Sequence, residues 1–365
     1  MSQATITAPV ALATGAPDDL AAVEGFLARF FDEQVGRAGT HGPSYRQLWS
    51  AARDAASGGK RIRPRLLLAA HRAYAGTSGP DPDHAAVAAA AAFELLHTAF
   101  LMHDDVIDHD EVRRGRPNVT GRFAAIARAG GANARSARDF GEASAILAGD
   151  LLISAAHRLV AGLDVPEARR AALLDLVDEC VFLAAAGEHA DVRFALEGTP
   201  AAGEILAMVE HKTASYSFSA PLQAGALLAG AGGVAVGRLG DIGRDLGVAF
   251  QLRDDVLGVF GEEALTGKTA IGDLREGKQT LLVAHASTDA SWSVVAGDFG
   301  RADLDEARAA AIRSVIVASG ALERVERLIA ARCRAAVELA SASGLPAGLA
   351  DELAATARAC GERDR

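Results

Sequence analysis

The stretch Leu95–Pro117, LLHTAFLMHDDVIDHDEVRRGRP, decides the fold and points to a function. The run Ala85–Met102 is rich in alanine and leucine and contains no glycine or proline, so it predicts a long helix that continues into the aspartates. In such a helix Asp104 and Asp108 lie one turn apart on the same face. Asp105 lies about 100° around the helix axis from Asp104.

Three carboxylates this close repel one another unless a cation lies between them. Mg²⁺ prefers hard oxygen ligands and is usually held by one or two carboxylates together with substrate phosphates. Arg113 and Arg114 follow shortly after the aspartates, and guanidinium groups are suited to binding phosphate. This combination predicts a site for a polyanionic substrate, whereas Asp104, Asp105 and Asp108 alone would also fit a solvated acidic helix end.

Composition favours a single all-α domain. The chain has 365 residues, of which 50% are hydrophobic and 5% aromatic, and strand signals are scarce. No linker rich in Pro, Gly or Ser separates two periodic halves, so we expect residues 1–17 to form a disordered tail and 18–365 to form one domain. The net charge of −10 argues against a nucleic-acid partner.

Cellular location is inferred from what the sequence lacks. The three cysteines are widely spaced and odd in number, so they predict no disulfide framework. No uninterrupted apolar run is as long as the roughly 18 residues of a membrane span, and no signal peptide is recognisable at the N-terminus. We therefore expect no transmembrane segment and a cytoplasmic location.

Two further stretches carry cations that could bind phosphate groups. Residues 58–64, GGKRIRP, place Lys60, Arg61 and Arg63 after a flexible glycine pair, which fits either a phosphate clamp or an ordinary exposed basic loop. Lys212 and Thr213 lie within an alanine-rich helical segment, where such a pair is usually a surface feature. Asp150 and Asp191 are interpreted as structural polar residues.

A second acidic motif has the same arrangement as the first, with aspartates at a helix end and cations after them. Residues 250–258, FQLRDDVLG, again deliver paired aspartates, Asp254 and Asp255, at the end of an apolar helix. Lys268 and Lys278 follow, as the two arginines follow the first motif. The repetition predicts one Mg²⁺ cluster held from two opposed helices.

Together these motifs resemble those of the trans-isoprenyl diphosphate synthases, or polyprenyl synthetases. GGKRIRP, LLHxxxLxHDDVID followed by RRGRP, KTAxY, FQLRDD, and GK followed by GDLREGK occur in the order and spacing of that family. The resemblance implies antiparallel helices around a deep central cavity, usually in a homodimer. It also implies head-to-tail condensation of isopentenyl diphosphate with an allylic diphosphate.

The resemblance assigns roles by position. Asp104, Asp108 and Asp254 correspond to Mg²⁺ ligands, with Asp105 assisting at the first motif. The clamp for isopentenyl diphosphate corresponds to Lys60, Arg63, His97 and Arg114. The groups around the allylic diphosphate correspond to Arg113, Lys212, Thr213, Gln251, Lys268 and Lys278.

One position departs from the family pattern, and two other activities compete. The second motif usually ends in aspartate, but here that place is Gly258; we expect activity to survive with a change in Mg²⁺ affinity. A class I terpene cyclase would leave the clamp cations Lys60 and Arg63 without a role. A silent regulatory partner of an active synthase would tend to lose the aspartates and cations that this chain keeps.

Product length is predicted from the residues five and four positions before Asp104. Bulky side chains at both places resemble the farnesyl-forming pattern, and small ones open the tunnel. Here they are Ala99 and Phe100, one small and one large. The pair favours geranylgeranyl diphosphate, with farnesyl and longer products as alternatives, unless Phe100 packs against a neighbouring helix and the tunnel floor lies elsewhere.

Overall fold

Helices account for nearly all secondary structure in the computed structural model, which describes residues 17–76, 83–198, 200–261, 271–342 and 344–362. The all-α prediction is therefore confirmed. The helices of the first part of the chain are α1 (Pro17–Gly39), α2 (Pro43–Ala56), α3 (Ile62–Ala75), α4 (His84–Ile107), α5 (Val119–Ala129), α6 (Ala134–Ala161) and α7 (Glu167–Glu197). They are followed by α8 (Ala202–Val209), a π-helix (Glu210–Ser219), α9 (Ala220–Leu228), α10 (Gly233–Phe260), α11 (Gly272–Glu276), α12 (Leu281–Ala286), a 3₁₀ turn (Ala290–Val294), α13 (Glu306–Ala318), α14 (Ala321–Ala342) and α15 (Ala347–Glu362).

The chain clusters into two compact units. The Asp104 unit comprises Gly15–Val177 and Ala224–Ala231, and the Asp254 unit comprises the described residues of Asp178–Gln223 and Gly232–Arg365. In the Asp104 unit, α4 packs against α6 and α3, and α5 packs against α6. In the Asp254 unit, α10 packs against the π-helix and α14. The single domain and the deep cavity remain predictions.

Helix α4 forms as the sequence predicts and carries the first acidic motif at its end. The Asp83 carboxylate caps its first turn by accepting hydrogen bonds from the backbone N–H groups of Ala85 and Ala86 at 2.7 and 3.3 Å. All seven residues of Ala86–Ala92 are buried, so this helix is enclosed on every side in its first half. Small alanine side chains allow neighbouring helices to approach closely, and the helix therefore fixes the position of Asp104.

Helix α6 begins at Ala134, shortly after the glycine pair Gly130–Gly131. The Asn133 side chain caps the helix by accepting a hydrogen bond from the backbone N–H of Ser136. The capping residue Asn133, two places after the glycine pair, therefore ends the loop.

Helix α10 is tied to the C-terminal helix through the buried residue Arg253. Its guanidinium makes two hydrogen bonds of 2.7 Å to the Glu326 carboxylate on α14. It also donates to the carbonyl oxygens of Gly361 at 2.9 Å and Cys360 at 3.4 Å, at the end of α15. Because Arg253 immediately precedes Asp254, these contacts hold the end of α10 that carries the second acidic motif.

Two described helices are long and apolar enough to span a membrane, α4 and α6. Neither is an uninterrupted apolar run, which is why the sequence predicted none. Most of α4 is buried inside the protein, as in the core helix of a globular fold, whereas less than half of the apolar window of α6 is buried. Both helices therefore have the length and composition of a membrane span, and they differ in how much of each is buried inside the protein. Cys180, Cys333 and Cys360 are all buried and free, as expected.

Candidate active site

The first acidic motif lies where α4 ends. The backbone N–H of Asp108 donates to the carbonyl oxygen of Asp104 at 2.8 Å, so the two residues keep the one-turn spacing predicted for a helix. Asp108 caps the helix and is exposed, Asp104 is half-buried and Asp105 is buried. The two proposed metal ligands, Asp104 and Asp108, are therefore the two that solvent can reach.

A short hairpin follows the motif and positions the two arginines. Strand β1 (Val112–Arg113) pairs with β2 (Arg116–Pro117), and the connecting residues Arg114 and Gly115 both have positive φ angles, of 53° and 71°. Two-residue hairpin loops favour this conformation, but an arginine adopts it at a cost of about 1–3 kcal/mol. The hairpin, which the sequence did not reveal, therefore holds Arg114 in a strained backbone conformation.

Arg113 turns back onto the aspartates. Its Nε donates to Asp105 Oδ1 at 2.7 Å, and its Nη2 donates to Asp104 Oδ2 at 3.2 Å. Burial raises the pKa of Asp105 to about 6, although the charge of Arg113 and its hydrogen bond act in the opposite direction. Arg113 thus compensates part of the repulsion within the motif and orients both carboxylates.

Four arginines surround His97, which lies two turns before Asp104 on α4. Burial lowers the pKa of His97 well below its ordinary value, and the positive charges of Arg63, Arg114, Arg113 and Arg61 lower it further. The imidazole is therefore neutral at pH 7, and the cations around it create a positive potential suited to a diphosphate.

The glycine pair Gly58–Gly59 lies close to one of these arginines. A Cβ at Gly59 would lie 3.3 Å from Arg114 Nη2, and Gly59 has a φ of 96° that side chains rarely adopt. A residue with a side chain at this position would meet the guanidinium. Gly59 therefore lets the GGKRIRP segment approach Arg114 of the hairpin.

The GGKRIRP segment is not simply an exposed basic loop. Lys60 is exposed, but Arg61 and Arg63 are both buried. Arg61 donates to Glu24 at 2.6 Å and to the buried carboxylate of Glu94 at 2.7 Å, and its φ of 51° is unusual for a residue with a side chain. Arg61 is therefore an internal anchor of the clamp, a role that the sequence did not indicate.

The second acidic motif has the same arrangement of burial as the first. At the end of α10, Asp254 is half-buried and Asp255 is buried. The hydroxyl of Thr213 donates to Gln251 Oε1 at 3.1 Å, and Gln251 Nε2 donates to Asp255 Oδ1 at 2.9 Å. In each motif the first aspartate is thus accessible and the second is held in place by a neighbouring side chain.

Burial also raises the pKa of Asp255, to about 7, although the charge of Lys278 and the hydrogen bond from Gln251 act in the opposite direction. For Lys278 burial alone would lower the pKa, but the negative charges of Asp273, Asp255 and Asp191 outweigh it and the pKa is raised. Lys278 is therefore a fully charged ammonium among several carboxylates.

The π-helix presents Lys212 to two acidic residues of α7. Lys212 Nζ lies 2.8 Å from Glu188 Oε2 and 2.7 Å from Asp191 Oδ2. The interpretation of Asp191 as a purely structural residue missed this contact with a candidate site residue. Glu188 and Asp191 are three positions apart and so lie on one face of α7, but that spacing alone does not identify their partner.

Gly187 allows the π-helix to approach α7. A Cβ at this position would lie only 2.4 Å from the backbone nitrogen of Lys212. Only a residue without a side chain fits here, and sequence reasoning did not single it out. π-Helical segments occur frequently at functional sites, which agrees with the position of Lys212 and Thr213 in this one.

The remaining predicted site residues are Lys268, Ala99 and Phe100. Lys268 lies outside the described residues. Ala99 is completely buried and Phe100 is half-buried, on the same helix as Asp104. Across the described parts of the chain, no three His, Cys, Asp or Glu side chains converge into a group that could enclose a metal ion by themselves.

Comparison with known proteins adds independent findings. The family model of polyprenyl synthetases matches residues 46–311. A geranylfarnesyl diphosphate synthase of Aeropyrum pernix is 36% identical over 276 residues, which cover 74% of this chain and 79% of that protein. A (2E,6E)-farnesyl diphosphate synthase of Mycobacterium bovis is 38% identical over 66% of this chain, which spans only 58% of that protein.

A solved structure resembles the whole chain. The geranylgeranyl pyrophosphate synthase of Corynebacterium glutamicum, in complex with isoprenyl diphosphate and magnesium, superimposes with a TM-score of 0.87 at 30% identity. The similarity covers 96% of this chain and all of the other one. The three relatives carry three different product names, so similarity at this level does not determine the product.

Proposed function

The chain belongs to the polyprenyl synthetase family and is a prenyltransferase, and on that premise we propose that it condenses isopentenyl diphosphate with an allylic diphosphate to give mainly geranylgeranyl diphosphate. The observation that carries this proposal is the shared construction of the two acidic motifs. Each places an accessible aspartate at a helix end, holds the next aspartate in a buried position, and has cations beside it. A class I terpene cyclase, with one diphosphate substrate, would not need the additional cations around His97.

Isopentenyl diphosphate is assigned to the cation group of the Asp104 unit. Arg63 and Arg114 lie close enough to His97 to lower its pKa, and Lys60 is the exposed cation of the same segment. A neutral imidazole can donate one hydrogen bond to a phosphate oxygen without adding another positive charge beside the arginines. These groups would hold the diphosphate so that the double bond of the substrate lies near the forming cation.

The allylic diphosphate is assigned to the groups beside the acidic motifs. By their positions in the family motifs these are Asp104, Asp108 and Arg113 of the first motif and, of the later motifs, Lys212, Thr213, Gln251, Asp254, Lys268 and Lys278. The ammonium groups of Lys212 and Lys278 would stabilise the negative charge that develops on the leaving diphosphate as the allylic C–O bond breaks. Lys212 would exchange its contacts with Glu188 and Asp191 for the substrate.

The donor set fits Mg²⁺, which when bound supplies positive charge to the departing diphosphate. Asp104, Asp108 and Asp254 would hold the metal. They are carboxylates that solvent can reach. That is the pattern expected for Mg²⁺, which keeps waters and substrate oxygens among its ligands.

Geranylgeranyl diphosphate is proposed as the main product because of Ala99 and Phe100. Phe100 is half-buried on α4, one turn before Asp104, where a growing chain bound at the first motif would meet it. Ala99 is fully buried and contributes only a methyl group. The pair would restrict the path only in part, and farnesyl and longer products remain the alternatives.

The proposal is tested by incubating the purified chain with labelled isopentenyl diphosphate and each allylic primer in turn, and identifying the products by mass spectrometry. We expect geranylgeranyl diphosphate as the main product. Asp104→Ala should lower turnover by several powers of ten with an unchanged unfolding temperature, since it removes a metal ligand and relieves repulsion. Near wild-type turnover of that variant at saturating Mg²⁺ would refute the metal assignment, and absence of any incorporation by the wild type would indicate a silent regulatory partner.

A homodimer is proposed from the family and from an exposed apolar face. On α6, Phe140, Ile146 and Leu147 are 42%, 44% and 57% exposed, and Ile126 on the adjacent α5 is 37% exposed. A cluster of large apolar side chains marks a protein contact more often than free surface. Leu147→Glu should shift the mass measured by light scattering from dimer to monomer, while a dimeric Leu147→Glu variant would contradict this interface. The cytoplasmic location remains a prediction from the sequence.

A further inference from the structure

The buried carboxylate of Glu94 lies beside two arginines of the GGKRIRP segment and contacts them unequally. Glu94 is on α4, three residues before His97, so the two side chains lie on the same side of the helix. Its Oε2 accepts a hydrogen bond of 2.7 Å from Arg61 Nη1. Its Oε1 lies 3.9 Å from Arg63 Nη1, beyond hydrogen-bond distance, and accepts no hydrogen bond from any described residue. A buried negative charge is therefore close to Arg63, which is assigned to bind a diphosphate.

Arg61 is held in place by three elements of the Asp104 unit. Its Nε and Nη2 donate to the two carboxylate oxygens of Glu24 on α1, at 2.6 and 3.1 Å. Its Nη2 also donates to the carbonyl oxygen of Ala56, the last residue of α2, at 2.9 Å. Burial alone would lower the pKa of Arg61, but the hydrogen bonds and charges of Glu24 and Glu94 outweigh it and raise the pKa. The guanidinium is therefore fixed and fully charged, and it holds Glu94 Oε2 on α4.

We propose that Arg61 is a positioning residue of the isopentenyl diphosphate clamp, which binds the Glu94 carboxylate and so prevents it from forming a hydrogen-bonded pair with Arg63. The inference rests on the proposed function, since it concerns the cation assigned to this substrate. It gives Arg61 a role in substrate affinity although its own nitrogens are directed at Glu24, Ala56 and Glu94 and not at a ligand.

The consequence of removing Arg61 follows from the burial of its two acidic partners. Glu24 is exposed and would be hydrated, whereas Glu94 is buried and would keep a charge without its partner, which is costly. A movement of Glu94 Oε1 by about 1 Å toward Arg63 would form a charge-assisted hydrogen bond. Arg63 would then be neutralised inside the protein and would contribute less to binding the diphosphate.

The test measures the KM for isopentenyl diphosphate at saturating allylic substrate. Arg61→Met should raise it about 10- to 100-fold with little change in kcat, as loss of one charge-assisted hydrogen bond to the substrate does. Glu94→Gln keeps the shape of the side chain and removes its charge, so the KM should fall several-fold. The double variant, Arg61→Met with Glu94→Gln, removes both charges, and its KM should return toward the wild-type value.

The opposite signs distinguish this role from a merely structural one. If Arg61 and Glu94 only stabilised the segment, both single variants would raise the KM and the double variant would not restore it. Arg53→Met is the matched control, because Arg53 also links α2 to α1, through Asp32 at 3.3 Å, but is exposed. Its KM should be unchanged. Circular dichroism melts establish that each variant is folded.

The outcomes separate this inference from the proposed function. A raised KM in Arg61→Met that the double variant reverses supports the inference. An unchanged or raised KM in Glu94→Gln overturns it, and this variant alone decides the question if Arg61→Met does not fold. If Arg63→Ala raises the KM and Arg61→Met leaves it unchanged, only the inference fails. If Arg63→Ala has no effect, the proposed clamp for isopentenyl diphosphate fails together with it.

Discussion

Replacing Gly187 with alanine tests whether close packing of α7 against the π-helix is needed for catalysis. The added Cβ would lie 2.4 Å from the backbone nitrogen of Lys212 and 2.8 Å from its Cα, where ordinary contacts are 3.4–4 Å. Because the obstacle is backbone, the π-helix must move by about 1 Å to reach the usual range of contact distances. That displacement would be passed directly to Lys212 and Thr213.

The expected size of the effect follows from two general observations. Overpacking a close contact costs about 1–3 kcal/mol of folding free energy. A displacement of about 1 Å in a group that binds the reacting substrate costs about 100-fold in rate. We therefore expect Gly187→Ala to fold with a reduced free energy of unfolding and to turn over about 100 times more slowly.

The assay combines urea unfolding with steady-state incorporation of labelled isopentenyl diphosphate. Gly203→Ala is the control, since Gly203 lies on the nearby helix α8 and has nothing within 4 Å of an added Cβ. It should be neutral or stabilise the fold by about 0.4–1 kcal/mol, with normal turnover. If Gly187→Ala matched this control in both stability and turnover, the close approach would have no functional role.

Three other predictions concern the Asp104 unit. Arg63→Ala should raise the KM for isopentenyl diphosphate about 10- to 100-fold, because a charge-assisted hydrogen bond contributes about 1.5–3 kcal/mol; an equal rise in the KM of the allylic substrate would contradict the separation of the two diphosphates. Ala99→Phe should shorten the main product and Phe100→Ala should lengthen it, as read by product chromatography, and an unchanged product pattern in both would place the tunnel floor off α4. Because the pKa of His97 is lowered in the folded protein, the folded protein binds fewer protons than the unfolded chain. The free energy of unfolding therefore decreases as the pH falls below about 6.5, the pKa of histidine in the unfolded chain. His97→Gln should therefore make the free energy of urea unfolding fall less steeply between pH 7 and 5, and an unchanged slope would disprove this origin.

The sequence predicted the parts of the fold that depend on local preferences. Helix α4 and the one-turn spacing of Asp104 and Asp108 follow from an alanine-rich run without helix breakers. The position of the paired aspartates at the end of α10 likewise follows from the apolar helical run before them. Both predicted helices are present. Motif order also led to the right family because several short patterns occur together. These features could be predicted because each depends on residues close to one another in the chain.

Contacts between distant residues could not be predicted. The pairing of Lys212 with Glu188 and Asp191 joins residues more than twenty positions apart. That the Asp273 carboxylate occupies the space beside Gly258 depends on how α11 meets α10. Many exposed acidic side chains share the local pattern of these residues, so only the three-dimensional arrangement distinguishes them.

The contacts of Arg253 determine when, during synthesis, the end of α10 becomes fully stable. The carbonyl partners of Arg253, Cys360 and Gly361, lie 107 and 108 residues further along the chain, on α15. Until these carbonyl groups are present, the N–H groups of Arg253 that donate to them are unsatisfied, and an unsatisfied buried donor costs about 1–3 kcal/mol. Chains emerge from the ribosome at about 5–20 residues per second and fold from the N-terminus first. The end of α10 that carries Asp254 therefore reaches its final stability only after α15 has been translated, so metal binding at the second motif depends on a helix made more than 100 residues later.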